Sequence, residues 1–435
     1  VAGAPEVVLG MCASVWKDGK KKALTDKERA VLEKMLHTLS ADGLRVIAIA
    51  VETNAGKTVS PDTVKNLCFV GFFGMKDATR PEAAVAVARA AAAGIKVVMI
   101  TGDHIVTAQA IAKEIGIWHE KDTVLTGAHI DELTDAELAK KLHNVSVFAR
   151  VNPEHKMRII GAYRARGEVV AMTGDGVNDA PSLVAADLGV AMGNIGTAVA
   201  KEAADIVLLD DNLESIVAAV EEGRGIYQRI KKVILYLFST SLGEVLTIAG
   251  ALALSLPLPI LPAQILWLNF VTDGFLDISL AMEPTSTRLL NGKFEKPKKY
   301  LVDAAMGKRM ALMSLVMAVG TLFLFQRYYA TDLAKAWTVS LTVLAVFQWA
   351  NAWNCRSERT SLLRMHPFTN RSLVAATAVV IVLQCIAVYT PTMQKVLHTV
   401  PISLADWLLI LPIGASIILA EEIRKAFVRI RTRQA

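Results

Sequence analysis

The chain has 435 residues, 53% hydrophobic and 20% charged, with a formal net charge of +6. That length excludes a single small binding module, and a mean hydropathy of +0.41 beside so many charges implies a soluble part joined to a membrane part. The basic residues lie beside apolar spans instead of forming a stripe interleaved with aromatics, which argues against nucleic acid as a partner.

Val1 is followed at once by apolar and small residues, with no initiator Met, basic n-region or cleavage site, so the expectation is a truncated start and no signal peptide. Cys12, Cys68, Cys355 and Cys385 are far apart and form no CxxC pair. Neither a zinc site nor a disulfide framework is indicated, and a reduced, cytoplasmic soluble part is expected. Thr25 and Glu28 are spaced as a capping box before a helix that leads to Gly43.

From Gly94 the pattern predicts a strand over Ile95–Ile100, ending in Thr101-Gly102-Asp103, and a helix to about Ile115. A second such unit has a strand over Glu168–Met172 followed by Thr173-Gly174-Asp175-Gly176-Val177-Asn178-Asp179-Ala180-Pro181. Strands alternating with helices imply an α/β domain with a parallel sheet, and polar residues at strand C-terminal ends are where such sheets bind ligands. The glycines let backbone N–H groups approach a phosphate, and Asp175 and Asp179 are candidates to hold Mg²⁺. A lone TGD is weak evidence, since a glycine turn with an Asp cap is an ordinary strand-to-helix junction.

Beyond about Lys232 long apolar stretches recur to about Ala420, enough for about six membrane helices at about 20 residues each. The predicted spans are Val233–Leu254, Pro262–Met282, Met310–Gln326, Ala336–Trp353, Ser372–Tyr389 and Leu404–Ala420, the third marginal in length. Arg288, Lys293, Lys296, Lys298, Lys299, Lys308 and Arg309 follow the second span. Arg356, Arg359, Arg364 and Arg371 follow the fourth, and Arg424, Lys425, Arg429, Arg431 and Arg433 follow the sixth. The positive-inside rule puts these connections, the soluble front and both ends in the cytoplasm.

Inside the spans stand Glu244, Asn269, Thr272, Asp273 and Asp277, although an ionisable group at mid-membrane costs about 2.5–3.5 kcal/mol. Asn269, Thr272 and Asp273 fall near one helical face, and Glu244 beside Gly243 and Asp273 beside Gly274 mark places where a loosened helix could turn carbonyls toward a cation. An interhelical hydrogen-bond cluster is the alternative. Two carboxylates at similar depth on adjacent spans favour the ion site.

The nine-residue run Thr173 to Pro181 resembles the TGDGVNDAP signature of P-type ATPases, ATP-driven cation pumps. The resemblance covers nearly the whole chain. Ala4-Pro5-Glu6 resembles the end of the KGAPE motif, with Ala2 where its lysine would stand, and Gly43-Leu44-Arg45 resembles the last strand of the nucleotide-binding domain. Asp77 and Arg80 resemble the DPPR hinge, although Ala78-Thr79 replace its prolines, and Arg150 and Lys156 match the ARV-P-HK segment. Glu244 and Asn269 to Gly274 resemble the fifth and sixth helices of calcium-type pumps.

The resemblance implies three domains: residues 1–73 from the nucleotide-binding domain, 74–230 from a haloacid dehalogenase-like phosphorylation domain, and 231–435 an all-α membrane domain. It implies ATP and Mg²⁺, with Arg45, Arg80 and Arg150 toward the nucleotide; Thr101, Gly102, Asp103, Lys156, Asn178 and Asp179 at the phosphoryl group; and Asp175 on Mg²⁺. It also implies a transported cation at Glu244, Asn269, Thr272 and Asp273, with Gln348 and Asp277 as lesser ligands. Six late spans resemble calcium-type pumps more than heavy-metal pumps, and oxygen ligands favour Ca²⁺, with Mn²⁺, Na⁺ or H⁺ left open. DKTGT, the TGE loop and the first four helices are absent, so the N-terminal half with its actuator domain is the expected partner, besides the lipid bilayer. Alone, the chain is expected to be inactive. A non-catalytic scaffold and a membrane-anchored phosphatase are the competing readings, though the latter lacks a DxDx(T/V) motif.

Overall fold

In the computed structural model, all residues are described except 42–43, 53–65, 76–78, 285–300 and 435. The chain divides into two units, one built on Val1–Val220 and the other on residues from Glu221 onward. Asp77 and the basic residues between 288 and 299 lie outside the described residues, as does the side chain of Arg45.

The first unit begins with a five-stranded sheet of β1 (Ala2–Gly3), β2 (Cys12–Lys17), β3 (Lys20–Ala23), β4 (Arg45–Val51) and β5 (Leu67–Met75), ordered β1-β4-β5-β2-β3. Helix α1 (Asp26–Ala41) opens on the expected box, with Thr25 Oγ1 accepting from Glu28 N–H at 3.3 Å and Glu28 Oε2 from Thr25 N–H at 3.2 Å. Two parallel three-stranded sheets follow. One is ordered β6-β8-β7, from β6 (Met99–Ile100), β7 (Thr123–Thr126) and β8 (Val145–Ala149); the other is β11-β10-β9, from β9 (Ala171–Gly174), β10 (Leu188–Met192) and β11 (Ile206–Leu208). Helix α2 (Pro81–Ala92) precedes β6, α3 (Ile105–Glu114) follows it, and α4 (Pro153–Ala165) precedes β9.

Both motif strands start later than their apolar patterns suggest. β6 pairs only at Met99 and Ile100, and β9 runs on through Thr173 and Gly174. Hydropathy marks what is buried, whereas the ladder marks where a neighbouring strand offers partners.

Helix α5 (Leu213–Ala253) gives its first residues to the first unit and the rest to the second. The second unit continues with α6 (Pro262–Trp267), a π-helical turn over Leu268–Asp273, α7 (Gly274–Ala281), α8 (Ala304–Tyr328), α9 (Leu333–Cys355), α10 (Arg371–Tyr389) and α11 (Leu404–Gln434). Five described helices, α5 and α8 to α11, are long and apolar enough to cross a membrane. The remaining predicted span exists as the composite α6–π turn–α7, whose break keeps it out of that group. The marginal third span is a 25-residue helix, because Arg309 is drawn into the buried part by Glu421 at 2.6 Å where hydropathy places a boundary. α9 is central: 78% of its apolar window is buried, and it packs on α8 and α11.

Candidate functional sites

At the end of β9 the chain turns on Asp179. Its Oδ2 accepts from the backbone N–H of Asp175 at 3.2 Å and of Gly176 at 3.1 Å, while Lys156 Nζ from α4 donates to Oδ1 at 2.5 Å. Position 174 must be glycine for this closure, since a Cβ there would stand 2.5 Å from the Asp179 Cβ. Burial by itself raises the Asp179 carboxyl, but the Lys156 ammonium and the two N–H groups outweigh it and hold the group below its ordinary value of 3.8.

Asp175 is the opposite case. It is exposed, and among the described residues no hydrogen bond or ion pair engages its carboxylate, while its carbonyl accepts from Thr197 N–H at 2.8 Å. Of the two aspartates expected at Mg²⁺, Asp175 has free oxygens, and Asp179 spends both of its own on the loop and on Lys156. An ammonium has three donors, so Lys156 retains capacity for a phosphate oxygen. Asn178 is exposed on the same turn.

The other motif loop is laced to the segment after β8. Thr101 N–H donates to Phe148 O at 2.9 Å, Val151 N–H to Thr101 O at 3.2 Å, and Arg150 N–H to Asp103 O at 3.0 Å. The Thr101 hydroxyl donates to Asp103 Oδ2 at 3.0 Å and accepts from Asp103 N–H at 3.1 Å, leaving Gly102 exposed at the tip. Arg150 adopts the left-handed conformation at φ 50° and reaches Glu6 Oε1 at 3.5 Å, which His104 Nε2 approaches at 3.8 Å. Arg80 donates to Asp211 O at 2.6 Å, tying the residue before α2 to the segment before α5. His104 and Asp211 stand out from no sequence pattern, and their contacts, like those of Glu6, cross long stretches of chain.

In the membrane unit, two hydrogen-bonded groups hold the polar residues. Tyr236 OH donates to Asp273 Oδ1 at 2.6 Å and Thr240 Oγ1 to Oδ2 at 3.2 Å. Gln348 Nε2 from α9 donates to Glu244 Oε1 at 3.1 Å. The buried Gln348 Oε1 and Asp277 Oδ1 have no partner among the described residues. Tyr236 and Thr240 were missed from sequence, although they stand eight and four residues before Glu244 on one α-helical face, which was the available signal.

One expectation is corrected here. α5 runs unbroken through Gly243, whose missing side chain instead makes room for Met317 of α8, a Cβ there standing 2.9 Å from the Met317 Sδ. The helix is loosened only at the π turn, just before Gly274. Across the π turn Thr272 and Asp273 are buried, and Asn269, though exposed, hydrogen-bonds the Glu244 carboxylate through its side chain. Among the described residues no three acidic, His or Cys side chains converge closely enough to hold a metal ion.

The mid-span carboxylates differ from Glu283 and Glu421, which stand one residue past the predicted span ends Met282 and Ala420. Glu283 accepts from Arg356 Nε at 3.1 Å and Asn370 Nδ2 at 2.6 Å, and Glu421 pairs with Arg309 at 2.6 Å and Arg424 at 2.7 Å. Among the described residues Glu244 and Asp273 have only hydroxyl and amide partners.

Residues 257–427 match the family described as the C-terminus of cation-transporting ATPases, and residues 18–187 and 157–220 match haloacid dehalogenase-like hydrolase families. A calcium-transporting ATPase of Bacillus subtilis is 40% identical over 418 residues, 95% of this chain and 47% of that protein. The chain belongs to the cation-transporting P-type ATPases. Calcium-transporting ATPase 1 of Saccharomyces cerevisiae is 37% identical over 99% of this P-type ATPase chain and 46% of its own length. The probable cation-transporting ATPase F of Mycobacterium tuberculosis is 38% identical over 99% of the chain and 48% of its own length. The chain spans about half the length of the curated relatives it matches. Its parallel sheets and apolar helices have the fold class expected of the family.

Proposed function

We propose that this chain forms the second half of an ATP-driven cation pump, supplying the phosphate-handling loops and the ion site, with Ca²⁺ as the cation. The carrying observation is the pairing of buried carboxylates: Glu283 and Glu421, just past the span ends, have arginines, whereas among the described residues Glu244 and Asp273 have neutral partners only. A buried anion without a countercharge is costly, and a cation arriving from solution removes that cost. Gln348 Oε1, Asp277 Oδ1 and the Asn269 and Thr272 oxygens extend the shell. Hard oxygen donors suit Ca²⁺, in keeping with the names of the Bacillus and yeast relatives. Mn²⁺, Na⁺ and H⁺ are the alternatives.

In the soluble unit, β6 and β9 each occupy one edge of a three-stranded sheet, and each ends in a motif loop. One further parallel strand would join both sheets and present its C-terminal end between Thr101–Asp103 and Thr173–Asp175. That strand, with an aspartate at its tip, is assigned to the N-terminal half. ATP phosphorylates that aspartate, and the energetic task of this chain is to position and neutralise charge on the phosphoryl group. Thr101, Gly102 and Lys156 contact its oxygens, and Asp175 holds Mg²⁺, which supplies positive charge where negative charge builds up. Arg45, Arg80 and Arg150 belong on the nucleotide side. The soluble unit faces the cytoplasm.

The test is phosphorylation by labelled ATP of the chain alone and co-expressed with the N-terminal half, in Ca²⁺, Mn²⁺ or Na⁺. The chain alone forms no acid-stable phosphoenzyme, and the assembled pump forms one only with its cation. A phosphoenzyme on the isolated chain overturns the assignment of the nucleophile, and cation-independent labelling of the pump overturns the ion site.

A further inference from the structure

The connection between α9 and α10 holds its shape from both ends. Arg356 Nε contacts the Glu283 carboxylate at 3.1 Å, Asn370 Nδ2 reaches the same carboxylate at 2.6 Å and Ser279 O at 2.9 Å, and Leu362 N–H donates to Glu422 Oε1 of α11 at 2.8 Å. Within the loop, Thr360 N–H donates to Ser357 Oγ at 3.0 Å and Thr369 Oγ1 to His366 O at 2.8 Å. A loop pinned this way cannot fold its apolar side chains into the bundle. Leu363 is nevertheless 90% exposed and Phe368 61%. Three arginines, Arg359, Arg364 and Arg371, are exposed beside them against one exposed acid, Glu358, and among the described residues no ion pair engages the three guanidinium groups.

Position adds a second constraint. The 23 residues of α9 rise about 34 Å, slightly more than the roughly 30 Å hydrocarbon core, so the chain leaves the helix at headgroup level. Trp353, with Arg356 held 5.3 Å over its ring, marks that level, as aromatic residues do at membrane interfaces. Exposed apolar tips with unpaired arginines at the depth of lipid phosphates match an anionic headgroup layer in both polarity and charge. A protein partner would also cover Leu363 and Phe368, but the charge and the depth favour lipid.

We propose that residues 357–371 form a headgroup anchor, in which Leu363 and Phe368 enter the interfacial layer and Arg359, Arg364 and Arg371 bind the phosphates of anionic lipids. The inference rests on the membrane reading of α9 and α10, which a control tests separately. The full chain is reconstituted in vesicles of phosphatidylcholine alone or with phosphatidylglycerol and labelled with an environment-sensitive fluorophore at Leu363→Cys or Phe368→Cys in a Cys385→Ser background. The remaining cysteines are buried. The control carries the label at the exposed native Cys385 of α10. The expected result is a blue-shifted emission at 363 and 368, quenched by lipids spin-labelled near the headgroup and shielded from aqueous iodide, more so with phosphatidylglycerol. Arg359→Gln with Arg364→Gln should remove that added shift and leave the phosphatidylcholine result unchanged. Water-like emission with full iodide quenching at 363 and 368, while Cys385 reports lipid, overturns the anchor and leaves the membrane reading standing. Water-like emission at Cys385 as well overturns both.

Discussion

The mid-span carboxylates of the membrane unit and those just past its span ends place one chemical group in two electrostatic settings. Glu283 and Glu421 are buried but matched by Arg356 and Arg309, so their charge is neutralised within the fold. Glu244 and Asp273 are equally buried, and Gln348, Tyr236 and Thr240 orient their oxygens without cancelling the charge. The first unit repeats the contrast at close range, with Asp179 matched by Lys156 and Asp175 unmatched among the described residues. On the function proposed above, a carboxylate that the fold has neutralised is structural, and one that the fold has only oriented is left for a cation from outside.

The largest expected effects break the unmatched set. In the assembled pump, Glu244→Gln or Asp273→Asn removes cation-activated phosphorylation by ATP, while phosphorylation by inorganic phosphate survives; Ca²⁺ titration of phosphoenzyme formation checks both. Unchanged activation in both variants would move the ion site elsewhere. Asp175→Asn should likewise abolish Mg²⁺-dependent phosphorylation while the melting temperature of the cation-free protein holds, since no partner is lost.

The matched set should respond in stability. Arg356→Met leaves Glu283 buried without its countercharge and should cost about 3–5 kcal/mol, read from denaturation in detergent. Glu244→Gln, by contrast, should leave the cation-free fold unchanged or stabilise it. A large loss there would show that Glu244 is matched after all. Tyr236→Phe should be milder, about 1.5–3 kcal/mol for a bond to a charged acceptor, and less with the cation bound.

The smallest effect concerns acid. Asp179 is held below its ordinary value, so its contribution to stability is complete above about 3.8 and is lost as pH falls through the lowered folded value. Asp179→Asn should remove that part of the acid-side slope in the first unit, measured by near-ultraviolet circular dichroism.

How far the sequence carried depended on how local each cause was. The capping box at Thr25 and Glu28, the run Thr173 to Pro181, the two βα units and the approximate spans all rest on short spacings within one element, and each was readable. Sequence also marked Glu244 and Asp273 as intramembrane carboxylates, because their cost there does not depend on their neighbours. Only the tertiary structure decided which of them have a countercharge, because Arg309 meets Glu421 and Arg356 meets Glu283 across long stretches of chain. It also decided where the helix loosens, since Gly243 is used to admit Met317 while the π turn falls on Leu268–Asp273. Glycine's permissiveness is intrinsic to the residue, but whether it is spent on close packing or on irregular backbone depends on what lies opposite, and that neighbour is set by the fold.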